Sequence, residues 1–419
     1  MTKKLQVVHL NASSGGGAFV AAQRLSKALN QYEGVVSNHL VFDGIPGPFK
    51  LWANNWLLKK IAFLLHAIEK LDFLRYEKSK SIRFAFSHAL TGVNILKHPL
   101  VKNADVIHLH WVNKGFLSFD SLEKIIHSGK RIVWTCHDLW PFTGGCYHPR
   151  GCEHFIEGCG NCHYLMSPSQ NDLSWAVFKR KQDLWGYGQI QFITPSNWLK
   201  QTAEKSDLMK HNAKITAIPN CVDIQFFRAA TDLEMIESRE MLGLNPNLTT
   251  IMFSAANLKN LAKGINEFIQ VCNQLVELNI DFQILIIGDK RDMEISFPVK
   301  TVFLGFISDA TLLRKAYWSS TVYVTTSHEE NLPTTIMESL SCGVPVCAFE
   351  VGGIPEMIVQ SKTGMLCEKL DVNTMSSQII ELLELIRDQK DGIRANCVEF
   401  AANHYSDSVI ARNYMLLYN

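Results

Sequence analysis

Along the chain, short β-branched and apolar runs end in polar or glycine turns: QVVHL, NHLVF, DVIHLHW, RIVWTCHD and QFITPS, then TTIMFSAAN, FQILIIGD, KTVFLGF, STVYVTTS and VPVCAF. Runs of this length and composition predict strands. Between them, segments such as AFVAAQRLSKALNQ, KGINEFIQVCNQLVELN and NTMSSQIIELLELIRDQ carry apolar residues at helical spacing. Strands alternating with helices predict parallel sheets covered on both faces. The alternation falters once, across IPNCVDIQFFRAATDLEMIESREMLGLNPN (218–247), where polar, charged and turn residues take over. The predicted organisation is two doubly wound, Rossmann-like α/β domains, residues 1–220 and 221–400, facing a ligand cleft outside the carboxyl ends of their strands. Residues 401–419 are predicted as a C-terminal helix packing back on the first domain.

A chain of 419 residues with 47% hydrophobic content can build two full cores. Charge is balanced, 41 Lys and Arg against 40 Asp and Glu, so no nucleic-acid partner is expected. The N-terminus, MTKKLQVVHLNASSGGG, reads as a first strand and not as a signal peptide. The apolar stretch IAFLLHAI (61–68) is far short of the ~20 residues that span a bilayer. A cytoplasmic protein is expected. Residues 49–88 do carry eight Lys or Arg against three acids, interleaved with Trp52, Trp56, Phe63 and Leu64. Such a region can rest peripherally on the anionic inner face of a membrane, or be an ordinary core helix with a solvated basic face.

Several stretches offer candidate chemistry. SSGGGAFVAAQRL (13–25) is a glycine-rich turn between the first strand and the first helix, where Gly16 and Gly17 can present backbone N–H groups to a phosphate or another oxygen-rich group. It is not a dinucleotide fingerprint, because Val20 stands at the third glycine position. RIVWTCHD ends a strand with His137 and Asp138 at the edge where α/β sheets bind ligands. HLHW puts His108 and His110 on one face of another strand; alone, each reads as a structural histidine. FSAANLKNLAKG delivers Lys259 and Lys263 into a loop before a helix, placed to hold a diphosphate. In SHEENLPTTIMESL, Glu330 precedes a helix predicted to start near Pro333 and Glu338 lies inside it. At ~1.5 Å rise per residue the carboxylates are roughly 10 Å apart along one line, with the N–H groups of Thr334 and Thr335 between them as a phosphate seat.

SHEENLPTTIMESLSCGVPVCAFEVGGIPEMI resembles the E-x7-E donor signature of retaining glycosyltransferases of GT-B architecture, glycosyltransferase family 4 in particular. The glycine loop, the histidine after WTC, AIPNCVD, AKG, VFLGFISDATL and the glutamate pair occur in that family's order. The resemblance implies a hexosyltransferase-type enzyme taking sugar from a UDP- or GDP-sugar to a saccharide or lipid-linked glycan of a bacterial surface polysaccharide, without a catalytic metal. It implies that Glu330 contacts the transferred sugar, Glu338 the ribose, and Lys263 the diphosphate. Asn331, Leu332, Thr334 and Thr335 would complete the donor site, and His137 would lie near the acceptor and reacting sugar. One position departs: the arginine that usually stands six residues before the lysine is Asn257 here. An epimerase or hydrolase of the same architecture, or a sugar-nucleotide binding subunit without turnover, are the alternatives.

TGGCYHPRGCEHFIEGCGNCHYL (143–165) packs Cys146, Cys152, Cys159 and Cys162 into 17 residues, the last two as C-x2-C. In a reducing compartment such density points to a structural zinc rather than disulfides, with His148, His154 and His163 as possible substitutes for a cysteine. The region also resembles cysteine loops in a subset of family 4 enzymes.

Overall fold

The computed structural model describes residues 3–210 and 214–418. The chain divides into two compact units, Met1–Pro219 with Ile410–Asn419, and Asn220–Val409. Each is built on one parallel sheet.

The first sheet comprises β1 (Leu5–Ser13), β2 (Val35–Asp43), β3 (Lys50–Leu51), β4 (Val106–Leu109), β5 (Arg131–Thr135), β6 (Ile190–Thr194) and β7 (Lys214–Ala217), in spatial order β3-β2-β1-β4-β5-β6-β7. β1 is buried from Val7 through Ala12, as expected of a central strand covered on both faces. Chain order reverses between β1 and β4. The connections leaving these strands diverge there, which opens a crevice at their carboxyl ends.

The second sheet comprises β8 (Thr249–Asn257), β9 (Phe282–Asp289), β10 (Thr301–Phe303), β11 (Val322–Thr325), β12 (Val346–Phe349) and β13 (Gly364–Cys367), in order β10-β9-β8-β11-β12-β13. Its reversal falls between β8 and β11. The Ile265–Glu277 helix buries Ile265, Phe268, Val271, Cys272 and Leu275, one stripe at helical spacing.

Three strands exceed the predicted set. β3, β7 and β13 are two to four residues long and each sits at a sheet edge; β3 and β7 are half exposed and carry little apolar signal, while β13 is buried but only four residues long and opens on a glycine. The helix predicted to end at Gln389 instead runs Val372–Tyr405, with a break in helical geometry at Gln389 (φ −137°, ψ 41°). Among the described residues, no helix is long and apolar enough to cross a membrane.

Candidate functional site

In the second unit the two connections at the sheet reversal are locked together. β8 leads through Lys259 into a short turn, Leu261–Lys263, and β11 leads through Ser327–Pro333 into the Thr334–Ser341 helix. At Gly264 (φ +76°) an added Cβ would lie 1.9 Å from the Thr326 carbonyl oxygen, so only glycine lets the connections meet. His328 N–H then donates to the Ala262 carbonyl at 2.8 Å, and Thr326 Oγ1 to that of Gly264 at 2.6 Å. This frame joins Lys263 Nζ to Glu330 Oε1 in a hydrogen-bonded ion pair. Ser327 Oγ donates to the same carboxylate oxygen at 3.0 Å.

Pro333 is the N-cap of the Thr334–Ser341 helix, and no side chain caps it. Its N-terminus, carrying Thr334 and Thr335, is therefore a local positive end three residues beyond Glu330. Asn331 and Leu332 form the intervening turn, with Leu332 buried. Glu338 is also buried, 4% exposed, and accepts the Tyr317 hydroxyl at 2.9 Å. Burial and that carboxylate push the Tyr317 hydroxyl well above its usual pKa. The structure thus brings together Glu330, Lys263 and the helix end, whereas Glu338 is held from behind by Tyr317. Lys259 faces elsewhere, its Nζ 3.6 Å from Asp292. Asn257 Oδ1 accepts the Lys259 backbone N–H at 3.0 Å.

In the first unit, Gly16 (φ +85°) is the N-cap of the Gly17–Leu29 helix, again without a side-chain cap. The turn opens on a cavity of about 790 Å³ that Asp43, Lys59, Phe63, His66 and Lys114 also line. Ser14 Oγ accepts the Ile45 N–H at 2.8 Å, which joins the ends of β1 and β2.

Beside this cavity the sheet carries a row of histidines. Strand register aligns His39, His9 and His108 across β2, β1 and β4, and His110 follows on the same face. His9 Nδ1 lies 2.9 Å from His110 Nε2, and His110 Nδ1 lies 3.1 Å from His137 Nε2. Burial lowers the pKa of His9, His108 and His110 well below 6.5, and that of His39 and His137 to about 4. All five are neutral at pH 7, and a neutral imidazole donates through one nitrogen only. His9 Nε2, at the inner end, is buried without a partner. An orphaned acceptor there costs less than an orphaned N–H, so His9 donates to His110 and His110 to His137. His137 consequently carries its proton on Nδ1 and is a hydrogen-bond donor there. Neighbouring Asp138 accepts the Trp140 N–H at 2.8 Å, and burial raises its pKa.

Among the described residues, the one set of three or more metal-capable side chains with ligand atoms all within 4.8 Å is His9, His108 and His110. These rings are already engaged: His108 also meets the Tyr418 hydroxyl at 2.6 Å and Thr135 Oγ1 at 2.8 Å. Cys146, Cys152, Cys159 and Cys162 all line one small cavity, at wider spacing.

Sequence reasoning missed His9, Ser327 and Tyr317. His9 and His108 occupy equivalent places in adjacent central strands, VVHL and VIHL, a parallel that has meaning only once the strand register is known. Nothing local marked Tyr317, which meets Glu338 only through helix packing.

Comparison with known proteins places this geometry in a family. A model described as glycosyltransferase family 4 matches residues 15–226, half of the chain, and one described as glycosyl transferases group 1 matches residues 249–385. The chain belongs to glycosyltransferase family 4. It is a glycosyltransferase of GT-B fold. It is similar to the putative colanic acid biosynthesis glycosyl transferase WcaC of Escherichia coli, 25% identical over 70% of this chain and 68% of the relative. It is also similar to the N-acetyl-alpha-D-glucosaminyl L-malate synthase of Bacillus anthracis, 25% identical over 71% of each chain. Among solved structures, Anabaena HepE in complex with UDP superposes with a TM-score of 0.64 at 15% identity, covering 99% of both chains. A sucrose-phosphate synthase from Thermosynechococcus elongatus also has a TM-score of 0.64, at 16% identity over 99% of this chain and 98% of that one. In this family 4 chain, the two family models fall one on each unit.

Proposed function

We propose that this enzyme moves a sugar, with retention at the anomeric carbon, from a nucleotide diphosphate onto a lipid-linked saccharide of a bacterial surface polysaccharide. The observation that carries the reading is Lys263 paired with Glu330 beside an uncapped helix N-terminus, at the reversal point of the second sheet. Lys263 and the N–H groups near Thr334 and Thr335 receive the diphosphate. As Lys263 turns to the diphosphate, Glu330 is released to take hydroxyls of the transferred sugar. Glu338, positioned by Tyr317, takes the ribose.

The anomeric carbon–phosphate oxygen bond then breaks, with its electron pair leaving on the diphosphate. The acceptor hydroxyl forms the new bond on the same face, and its proton passes to the departing phosphate oxygen. Positive charge fixed around the diphosphate favours this departure, so the step needs no metal. His137 orients a hydroxyl, and Gly15 and Gly16 border the cavity that receives the saccharide. The UDP and UDP-glucose complexes of HepE support a nucleotide-sugar donor, and the GDP-mannose-dependent mannosyltransferase of Corynebacterium glutamicum, 27% identical over 40% of this chain, keeps GDP-sugars beside UDP-sugars. The colanic acid name of one relative and the capsular polysaccharide name of the Staphylococcus aureus CapM favour a surface-polysaccharide acceptor.

The lipid has a place to rest. The Trp56–Phe73 helix buries only Ala62, Glu69 and Phe73, while Phe63 is 73%, Trp56 69% and Leu71 65% exposed. Lys60 lies over the Trp56 ring at 4.6 Å, and Lys70 over exposed Phe84 at 4.5 Å. An apolar face rimmed with lysines fits an anionic leaflet. Phe63 and Lys59 of this helix also line the saccharide cavity.

Incubation with UDP- and GDP-sugars, with and without lipid-linked acceptor, tests the reading. Nucleotide diphosphate release should require acceptor, and the product should keep the donor's anomeric configuration by NMR. Inversion, or release without acceptor, would overturn it. Sedimentation with anionic vesicles should occur at low salt and be lost in a Phe63→Ser/Leu64→Ser variant; absence of low-salt binding would remove the membrane part alone.

A further inference from the structure

The segment from Thr143 to Asp172 contains only one short helical turn, His154–Ile156, yet it is held in a definite shape. Arg150, Cys159 and Asn161 adopt positive φ, as do Gly151, Gly158 and Gly160. Such a conformation is unfavourable for a non-glycine residue and persists only where surroundings enforce it. Tyr147 and Phe155 of the segment reach the main core, but the rest covers only a small apolar cluster, made mainly of Phe73, Ile82, Phe86, Cys162, Tyr164 and Leu165. A long irregular segment over so thin a core calls for a staple.

The four cysteines converge where that staple would act. All are free thiols and all line one cavity of about 20 Å³. Backbone N–H groups are directed at two of the sulfurs. Gly144 N–H donates to Cys159 Sγ at 3.1 Å. A Cβ on Gly144 would lie 2.9 Å from that of Cys159 and 2.3 Å from the Ser174 carbonyl, so glycine is required for the approach. The Tyr164 N–H points to Cys162 sulfur, while the Ser174 hydroxyl donates to Asp172 Oδ1 at 2.6 Å. Asp172 fixes the C-x2-C turn from outside, its Oδ2 accepting Cys162 N–H at 2.8 Å. Donors directed at sulfur orient thiolate ligands and stabilise their charge.

Lys181 supplies the complementary feature. It is fully buried in the Leu173–Trp185 helix, and its ammonium is held by the carbonyls of Trp140 and Thr143, not by a carboxylate. Buried cations are normally balanced, and burial lowers the Lys181 pKa to about 7, against which the nearby Cys146, Cys159 and Asp138 act. Four thiolates around one Zn²⁺ carry a net charge of −2, which Lys181 would offset in part.

We propose that Cys146, Cys152, Cys159 and Cys162 bind one structural zinc ion. Binding releases the four thiol protons to solvent and draws the sulfurs into a tetrahedron. Four protein ligands leave no open position, so the metal takes no part in sugar transfer; it fixes the segment that follows His137 and Asp138. Zinc suits an all-thiolate tetrahedral set and is redox-inert.

The full chain, purified without chelator from zinc-supplemented medium, should contain about one zinc per chain by elemental analysis. A Cys159→Ser/Cys162→Ser variant should lose the metal and melt at lower temperature. Because that variant can fail to fold, the wild-type chain reloaded with Co²⁺ provides the second readout. Thiolate-to-cobalt charge transfer and intense tetrahedral bands should appear. Metal-free protein of full thermal stability, iron in place of zinc, or zinc retained by the double variant would each overturn the proposal. So would a cobalt spectrum without thiolate bands together with metal lost from His9→Gln, which would place the ion among the histidines.

Discussion

The two sheets reverse chain order in the same way, between β1 and β4 and between β8 and β11, yet the chemistry at the reversal is opposite. The first sheet carries a row of buried, neutral histidines there. The second carries a charged pair, Lys263 with Glu330, beside an uncapped helix end. A doubly wound sheet supplies the crevice in both cases, and side chains decide what it accepts. Uncharged donors suit hydroxyl-rich saccharide; a lysine and a helix N-terminus suit a diphosphate. The same topology can therefore serve both halves of a transfer reaction.

If the charged pair is the donor seat, its removal should have the largest effect. Glu330→Gln should cut kcat about 100- to 1,000-fold, the range for loss of one transition-state contact. UDP should bind this variant as well as or better than wild type, because Lys263 no longer has a competing carboxylate. Glu338→Gln should act mainly on KM. Wild-type kinetics in both variants would remove the glutamates from the donor site. Lys263→Ala comes next, with donor affinity reduced about 10- to 100-fold, as expected for loss of one charge-assisted bond. Calorimetry with UDP should report this while acceptor KM changes little.

The histidine row separates the two units by pH. Each imidazole titrates near 6.5 when unfolded, whereas in the fold His39 and His137 titrate at about 4 and His9, His108 and His110 well below 6.5. Below pH 6.5 the unfolded chain binds more protons than the folded one. Stability is therefore complete above pH 6.5 and falls as pH drops toward 4, by up to ~1.4 kcal/mol per pH unit for each such group. Hydrogen exchange at pH 5 should show β1, β2 and β4 losing protection before β8, β9 and β11. Equal loss in both sheets would contradict the contrast. The smallest expected effect is Asn257→Arg, a few-fold gain in donor affinity from added charge, offset by loss of the Asn257–Lys259 N–H bond.

Much of this was legible in sequence because parallel strands buried on both faces read as continuous apolar runs, as in FQILIIGD. Edge strands such as Lys50–Leu51 were not, since their residues are half exposed and their pairing is set by the neighbouring strand. Glu330 and Lys263 were legible as residues, but their ion pair depends on Gly264 bringing two distant turns together. The histidine chain requires strand register, which no local pattern specifies. Lys181 sits in a run, FKRKQD, that reads as solvated, and only the packing of the Leu173–Trp185 helix shows it buried.

Hydrogen exchange of the whole chain with and without saturating UDP tests most directly whether the charged pair is the donor seat. Protection should appear in the second unit, over 257–264 and 328–338, with little change in the glycine turn at 13–17. Protection at the glycine turn and the histidine strands, with none around Lys263 and Glu330, would contradict it.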